Sequence, residues 1–156
     1  MPRSTTAIAL CVLALAPATV PSIAHAASDL VVKESRLSVK DTIDALAKAL
    51  EAKGIKVVAR VDHAAGAKAV AMQLPPTEVL IFGNPQLGTP LMQSNPQIGL
   101  DLPMKALAYT DKAGKVMIAY TNPDALKARY GITDRDAQFK AMTGALDAFT
   151  AAATGK

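Results

Sequence analysis

Tryptophan is absent from this chain, cysteine occurs once, and the aromatics are limited to three Phe and three Tyr in 156 residues. The lone Cys11 lies inside an N-terminal apolar run, with Leu10 before it where a lipid-anchor signal wants a small residue. An internal disulfide therefore has no second partner, and a chain processed downstream of Cys11 has neither a thiolate metal ligand nor a cysteine nucleophile. Lys and Arg number 17 against 13 Asp and Glu, a formal charge of +4, and the basic residues are spread along the chain. With so few aromatics to interleave, no nucleic-acid-binding stripe is built. A phosphate loop is missing, because no lysine follows Gly88. No serine sits in a nucleophile elbow either. Internal repeats are absent as well.

What is present begins with an export signal. Arg3 supplies a positive start, Ala7–Leu15 an apolar run of nine residues, and Ala24-His25-Ala26 a small-x-small site. Cleavage is expected after Ala26, placing residues 27–156 in the periplasm or outside the cell as one domain. The run is far shorter than the ~20 residues a membrane span needs, so no anchor is expected. About 130 remaining residues suffice for one core that must hold by packing alone.

Taken in order, Leu30–Arg36 reads as a strand. Ser38 with Asp41 forms a capping box, and Val39, Ile43, Leu46, Ala47 and Leu50 then recur at helical spacing until Gly54. In Ile55–Asp62 the alternation predicts a half-buried strand with Ile55, Val57, Ala59 and Val61 on one face. Asp62 caps a short alanine-rich helix over residues 63–72, ended by Pro75-Pro76. Thr77–Phe82 is apolar enough to suggest burial on both faces. After Gly83-Asn84-Pro85, short helical turns are expected over Leu87–Gln93 and Pro96–Leu100. Met104–Thr110 and Lys115–Tyr120 flank a hairpin turn at Asp111–Gly114. Asn122-Pro123 starts a helix that Gly131 ends. Thr133 with Asp136 reads as a second capping box, opening a long helix striped by Phe139, Met142, Leu146 and Phe149. This order, β-α-β, a small helix, three further strands and a final helix, predicts an α+β domain with a mostly antiparallel sheet and helices packed on one face. A doubly wound nucleotide fold would need regular β-α alternation.

Asp62-His63, Pro75-Pro76-Thr77-Glu78, Ile81-Phe82-Gly83-Asn84-Pro85, Gly88-Thr89-Pro90-Leu91-Met92 and Asp101-Leu102-Pro103 together resemble the DUF302 family. That family is a domain of unknown function, found alone in bacteria or fused to other modules. The resemblance covers about Ser35 to Ala125. It implies a β-α-β4-α arrangement related to TBP-like helix-grip folds, often as a homodimer, and it transfers no mechanism.

The stretch from Pro75 to Lys105 carries the candidate site. Its bend, Phe82-Gly83-Asn84-Pro85 with Gly88-Thr89, offers a polar spot beside a sheet edge. Asn84 and Thr89 would orient a small apolar or amphipathic ligand, and Phe82, Leu91 and Met104 would supply contact area, with Gly83 and Gly88 shaping the backbone. The structural account of the same residues gives Gly83 an unusual backbone angle, Asn84 a cap and Thr89 a buried carbonyl to satisfy. His63, beside Asp62, is the one candidate axial ligand for a metal or haem, no cofactor being specified. Met72, Met92, Met104, Met117 and Met142 invite a copper reading but are scattered singly; gap-filling core methionine explains them, with Met104 and Met117 opposed across the hairpin. Asp62, Glu78 and Asp101 are the acid–base candidates, each equally explained by a cap or turn, so no catalytic set is assigned. Tyr109 and Tyr120 suggest a cross-strand aromatic pair. Three classes stand: a ligand-binding domain, a metal or haem handling protein centred on His63, and a homodimerisation module.

Overall fold

A computed structural model describes residues 29–155, so the export signal expected over residues 1–26 lies outside the described residues. The elements run β1 (Leu30–Ser35), α1 (Val39–Glu51), β2 (Lys56–Asp62), α2 (His63–Ala69), β3 (Thr77–Gly83), α3 (Pro85–Ser94), a 3-10 turn over Pro96–Leu100, β4 (Met104–Thr110), β5 (Val116–Thr121), α4 (Pro123–Tyr130) and α5 (Asp136–Ala153). The strands form one antiparallel sheet in the order β1-β5-β4-β3-β2. It is the α+β arrangement expected, with α1 and α5 packed together over one face.

Local chemistry accounts for most boundaries. The Ser38 hydroxyl accepts from Asp41 N–H and donates to the Asp41 carboxylate at 2.7 Å. Asp62 Oδ1 accepts from Ala65 N–H at 2.8 Å. Asp111 Oδ1 holds the hairpin by accepting from Ala113 and Lys115 N–H, and Gly114 takes the left-handed angle that turn requires, φ 80°. Gly131, also left-handed, ends α4.

Several expectations are corrected. β3 is not buried on both faces: Glu78, Leu80 and Phe82 are buried beneath the helices, while Thr77, Val79 and Ile81 face the other way, half-buried. Val57 and Ala59 do not share a face. The ladder shifts register between them, leaving Val58 without a counterpart on β3. This bulge places Val57 beside Phe82 on the helix side and Ala59 beside Ile81 on the open side. The second capping box is not made. α5 starts at Asp136 behind Arg135 without a side-chain cap, while the Asp134 carboxylate accepts from Ser94 Oγ at 2.7 Å. Met117 lies opposite Tyr109 and Met104 opposite Phe82, so the two methionines do not face each other. Tyr120 pairs with Ala106 on the helix side and Tyr109 lies on the open side, which rules out their pairing. α3 runs on from Pro85 through Pro90 to Ser94 as one helix, longer than the turn expected, and the Pro90 carbonyl accepts from Arg135 Nε at 3.2 Å.

The core lies between sheet and helices: Ile43, Leu46 and Leu50 of α1 and Phe139, Met142 and Leu146 of α5 close over Leu80, Ala106, Ala108 and Ile118. The opposite sheet face carries an in-register apolar row across all five strands, Val32–Ala119–Leu107–Val79–Val61.

Candidate functional site

The polar interior of the sheet is a product of the bulge. By turning Arg60 to the helix side, it brings the guanidinium to Glu78, a carboxylate only 8% exposed. Arg60 Nε donates to Glu78 Oε1 and its Nη2 to Oε2 at 3.0 Å, a bidentate pair, while Nη1 reaches Asp44 on α1. The Glu78 hydrogen bonds, followed by those to Asp44, push the guanidinium pKa upward. This is a structural ion network, so Glu78 is not free for acid–base work. Asp62 is held by its cap. Asp101 is held by Tyr130 Oη at 2.6 Å and Arg129 Nη1 at 3.0 Å, and the hydrogen bond to Asp101 raises the Tyr130 pKa. All three acid–base candidates are thus engaged by different partners.

The same bulge also builds a hollow. Val58, displaced from the ladder and 53% exposed, joins Ile55 and Lys56 as one wall of a cleft of about 340 Å³. Phe82, Gly83 and Met104 form its floor at the ends of β3 and β4. Pro85, Leu87, Gly88, Thr89 and Met92 of α3, with Asn84, Leu102 and Pro103, close one side, and Met142, Ala145, Leu146 and Phe149 of α5 close the other. The lining is almost wholly apolar. Asn84 and Thr89 are its polar side chains and Lys56 its one charge.

Six of the seven expected ligand residues, Phe82, Gly83, Asn84, Gly88, Thr89 and Met104, meet at this cleft. Leu91 does not line it: the helical path of α3 turns it fully into the core. Gly83 has no unusual angle. A Cβ there would stand 3.2 Å from Pro103 Cβ, so a larger residue would press the proline aside by a few tenths of an ångström. Asn84 caps α3, its Oδ1 accepting from Gln86 N–H at 2.9 Å. Strand spacing reads Ile55 and Val58 as ordinary sheet residues, and helical spacing reads Met142, Leu146 and Phe149 as core, which in part they are.

His63 opens α2, exposed, away from the cleft lining. No group of three or more His, Cys, Asp or Glu among the described residues is placed to hold a metal ion. Three methionines, Met92, Met104 and Met142, come together around the cleft, whereas Met72 is 65% exposed near a second, more polar depression beside α2.

Residues 31–149 match the family model described as "Domain of unknown function DUF302". A solved relative, the uncharacterized conserved DUF302 protein from Bacillus stearothermophilus, superposes with a TM-score of 0.73 at 19% identity, covering 81% of this chain and 99% of that one. This likeness concerns the fold alone. Two proteins named Fluoride-specific ion channel FluC 1, from Brucella suis biovar 1 (strain 1330) and Brucella abortus biovar 1 (strain 9-941), are 46% identical over 129 residues, 82% of this chain. The chain spans about half the length of these relatives, 51% and 48%. No helix among the described residues is long and apolar enough to cross a membrane.

Proposed function

The chain belongs to the DUF302 family, and from that premise we propose that it is an exported binding domain whose cleft holds a small apolar or amphipathic molecule. The observation that carries this reading is the cleft itself: a hollow of about 340 Å³ with an almost wholly apolar lining at the end of the sheet. At the ~30 Å³ that a small group occupies in a liquid, it admits roughly eleven non-hydrogen atoms. At roughly 0.5 kcal/mol per atom, such a ligand binds with a Kd of about 0.1 mM. Fluoride, the ion in the relatives' name, fits poorly. Pro85 has no N–H, and the next three amides of α3 are taken by Asn84, Gln86 by its side chain and Leu87 and Gly88 by its carbonyl. Where this domain shares a polypeptide with a channel, we read it as an accessory binding module.

Titration of the processed domain with 1-decanol tests the reading. Saturable binding with a negative heat-capacity change is expected. Gly88→Leu, which projects a side chain from an unstrained helical position into the cleft, weakens it at least tenfold without unfolding the protein. Unchanged binding in Gly88→Leu overturns the assignment. Native mass spectrometry of periplasmic protein would add the start at Ala27 and any co-purifying organic molecule. The same spectrum reports copper, the outcome favoured if the thioethers of Met92, Met104 and Met142 act as soft ligands.

Self-association is the second part of the proposal. The row Val32–Ala119–Leu107–Val79–Val61 runs along the open face, with Glu34 and Lys105 toward its margins. A second copy related by a two-fold axis lays this row against itself, sheet on sheet at ~10 Å. Light scattering is expected to give a dimer, and Leu107→Lys a folded monomer that still binds decanol. A wild-type monomer at 100 micromolar or so would remove this part.

A further inference from the structure

We propose that the cleft's ligand is an anionic amphiphile, a single-chain carboxylate of about ten carbons with its head beside Lys56; this rests on the binding reading above. Two of the cleft's three polar lining residues, Lys56 and Asn84, are neighbours. Lys56 and Asn84 both line the cleft, and Lys56, on the edge strand β2, pairs with Gly83, the residue before Asn84, so the two are neighbours at the sheet end. The Asn84 Oδ1 is used by Gln86 N–H, leaving its Nδ2 without a partner among the described residues and able to donate. The apolar lining includes Met104, Met142, Leu146 and Phe149.

The charge of the cleft has one sign. No Asp or Glu lines the cleft, and Lys56 forms no ion pair or side-chain hydrogen bond among the described residues. Arg60, four residues along the same strand, is by contrast neutralised by Glu78 and Asp44. A cationic head would meet Lys56 unscreened, an uncharged one would leave it idle, and a carboxylate gains a charge-assisted partner there. Lys56 is exposed, so the preference is moderate and falls with added salt.

Decanoate, 1-decanol and decyltrimethylammonium are titrated into the processed domain and its Lys56→Gln and Lys56→Glu variants at low salt. Decanoate is expected to bind about fivefold tighter than decanol and at least tenfold tighter than the ammonium. Lys56→Gln brings the ratio of decanoate to decanol affinity to about one, and Lys56→Glu inverts it. Equal binding of all three probes, unaffected by Lys56→Glu, overturns the anionic assignment while leaving the cleft a binding site. Failure of every probe, decanol included, overturns both. A bilayer is the other source of such chemistry. Dioleoyl-phosphatidylglycerol vesicles are expected not to retain the domain, and retention by vesicles without decanoate binding would overturn the free-chain assignment in favour of a membrane surface.

Discussion

Truncating Phe82 to alanine is expected to lower the unfolding free energy by about 3 kcal/mol, the low end of the range for losing a buried aromatic ring. Phe82 is 4% exposed, faces Met104 across the β3–β4 ladder and Val57 across the bulged β2, and belongs to the core. The low end applies because one edge of the ring already borders the cleft, so its removal enlarges an existing hollow rather than opening a sealed void. Phe82→Met, which keeps volume and flexibility, costs about 1 kcal/mol. Urea unfolding with an unchanged slope reads both. In Phe82→Ala the cleft gains room, and saturating decanoate restores stability as RT ln(1 + [L]/Kd), about 2.7 kcal/mol at a hundredfold excess over Kd. A loss under about 1 kcal/mol would show that the ring is not part of the core and that the cleft floor is misplaced.

Much of this architecture is legible in residues that act locally. Ser38, Asp62 and Asp111 each satisfy backbone N–H groups within a few positions, so helix starts and the hairpin follow from the sequence around them. Asn84 with Pro85 is equally readable as the start of α3. What stays hidden depends on distant partners. A helical turn over Leu87–Gln93 is legible, but α3 runs on from Pro85 to Ser94, and Arg135 donates to the Pro90 carbonyl from forty-five residues away. Thr133 and Asp136 have the spacing of a capping box, but the α5 start lies elsewhere and Asp134 is drawn to Ser94, forty residues away. Half of the cleft is invisible for the same reason: Met142, Leu146 and Phe149 carry the pattern of any core stripe, and only the sheet order brings them to the end of β2. The bulge at Val58 is the sharpest case. An extra residue in an apolar alternation leaves the local pattern intact, and every side chain beyond it changes face.

That reversal makes Arg60 the position where the second large effect is expected. Arg60→Ala strands the Glu78 carboxylate on the helix side of the sheet and is expected to cost about 3 kcal/mol, at the lower bound for breaking a buried pair because the arginine side chain is 34% exposed. The pair itself is not a strong source of stability, since forming it strips water from both ions. Arg60→Met with Glu78→Leu, which removes both charges and keeps the volume, is therefore expected to recover to within about 1 kcal/mol of the parent. Acid adds a second reading of the same network. Asp44 is held below the ordinary carboxylate value of 3.8 by hydrogen bonds from Lys40 and then Arg60. A group lowered in the folded state contributes stability above its unfolded value and loses it as pH falls through the folded one. The contribution is thus complete at neutral pH and drains below about pH 4. In the Arg60→Met/Glu78→Leu protein Asp44 keeps only Lys40, so the acid limb of stability becomes shallower. Urea unfolding at pH 7 and across the acid range reads both effects. If Arg60→Ala alone were as stable as the double variant, Glu78 would be solvated, and Arg60 would lie on the open face that unbroken alternation of β2 assigns to it.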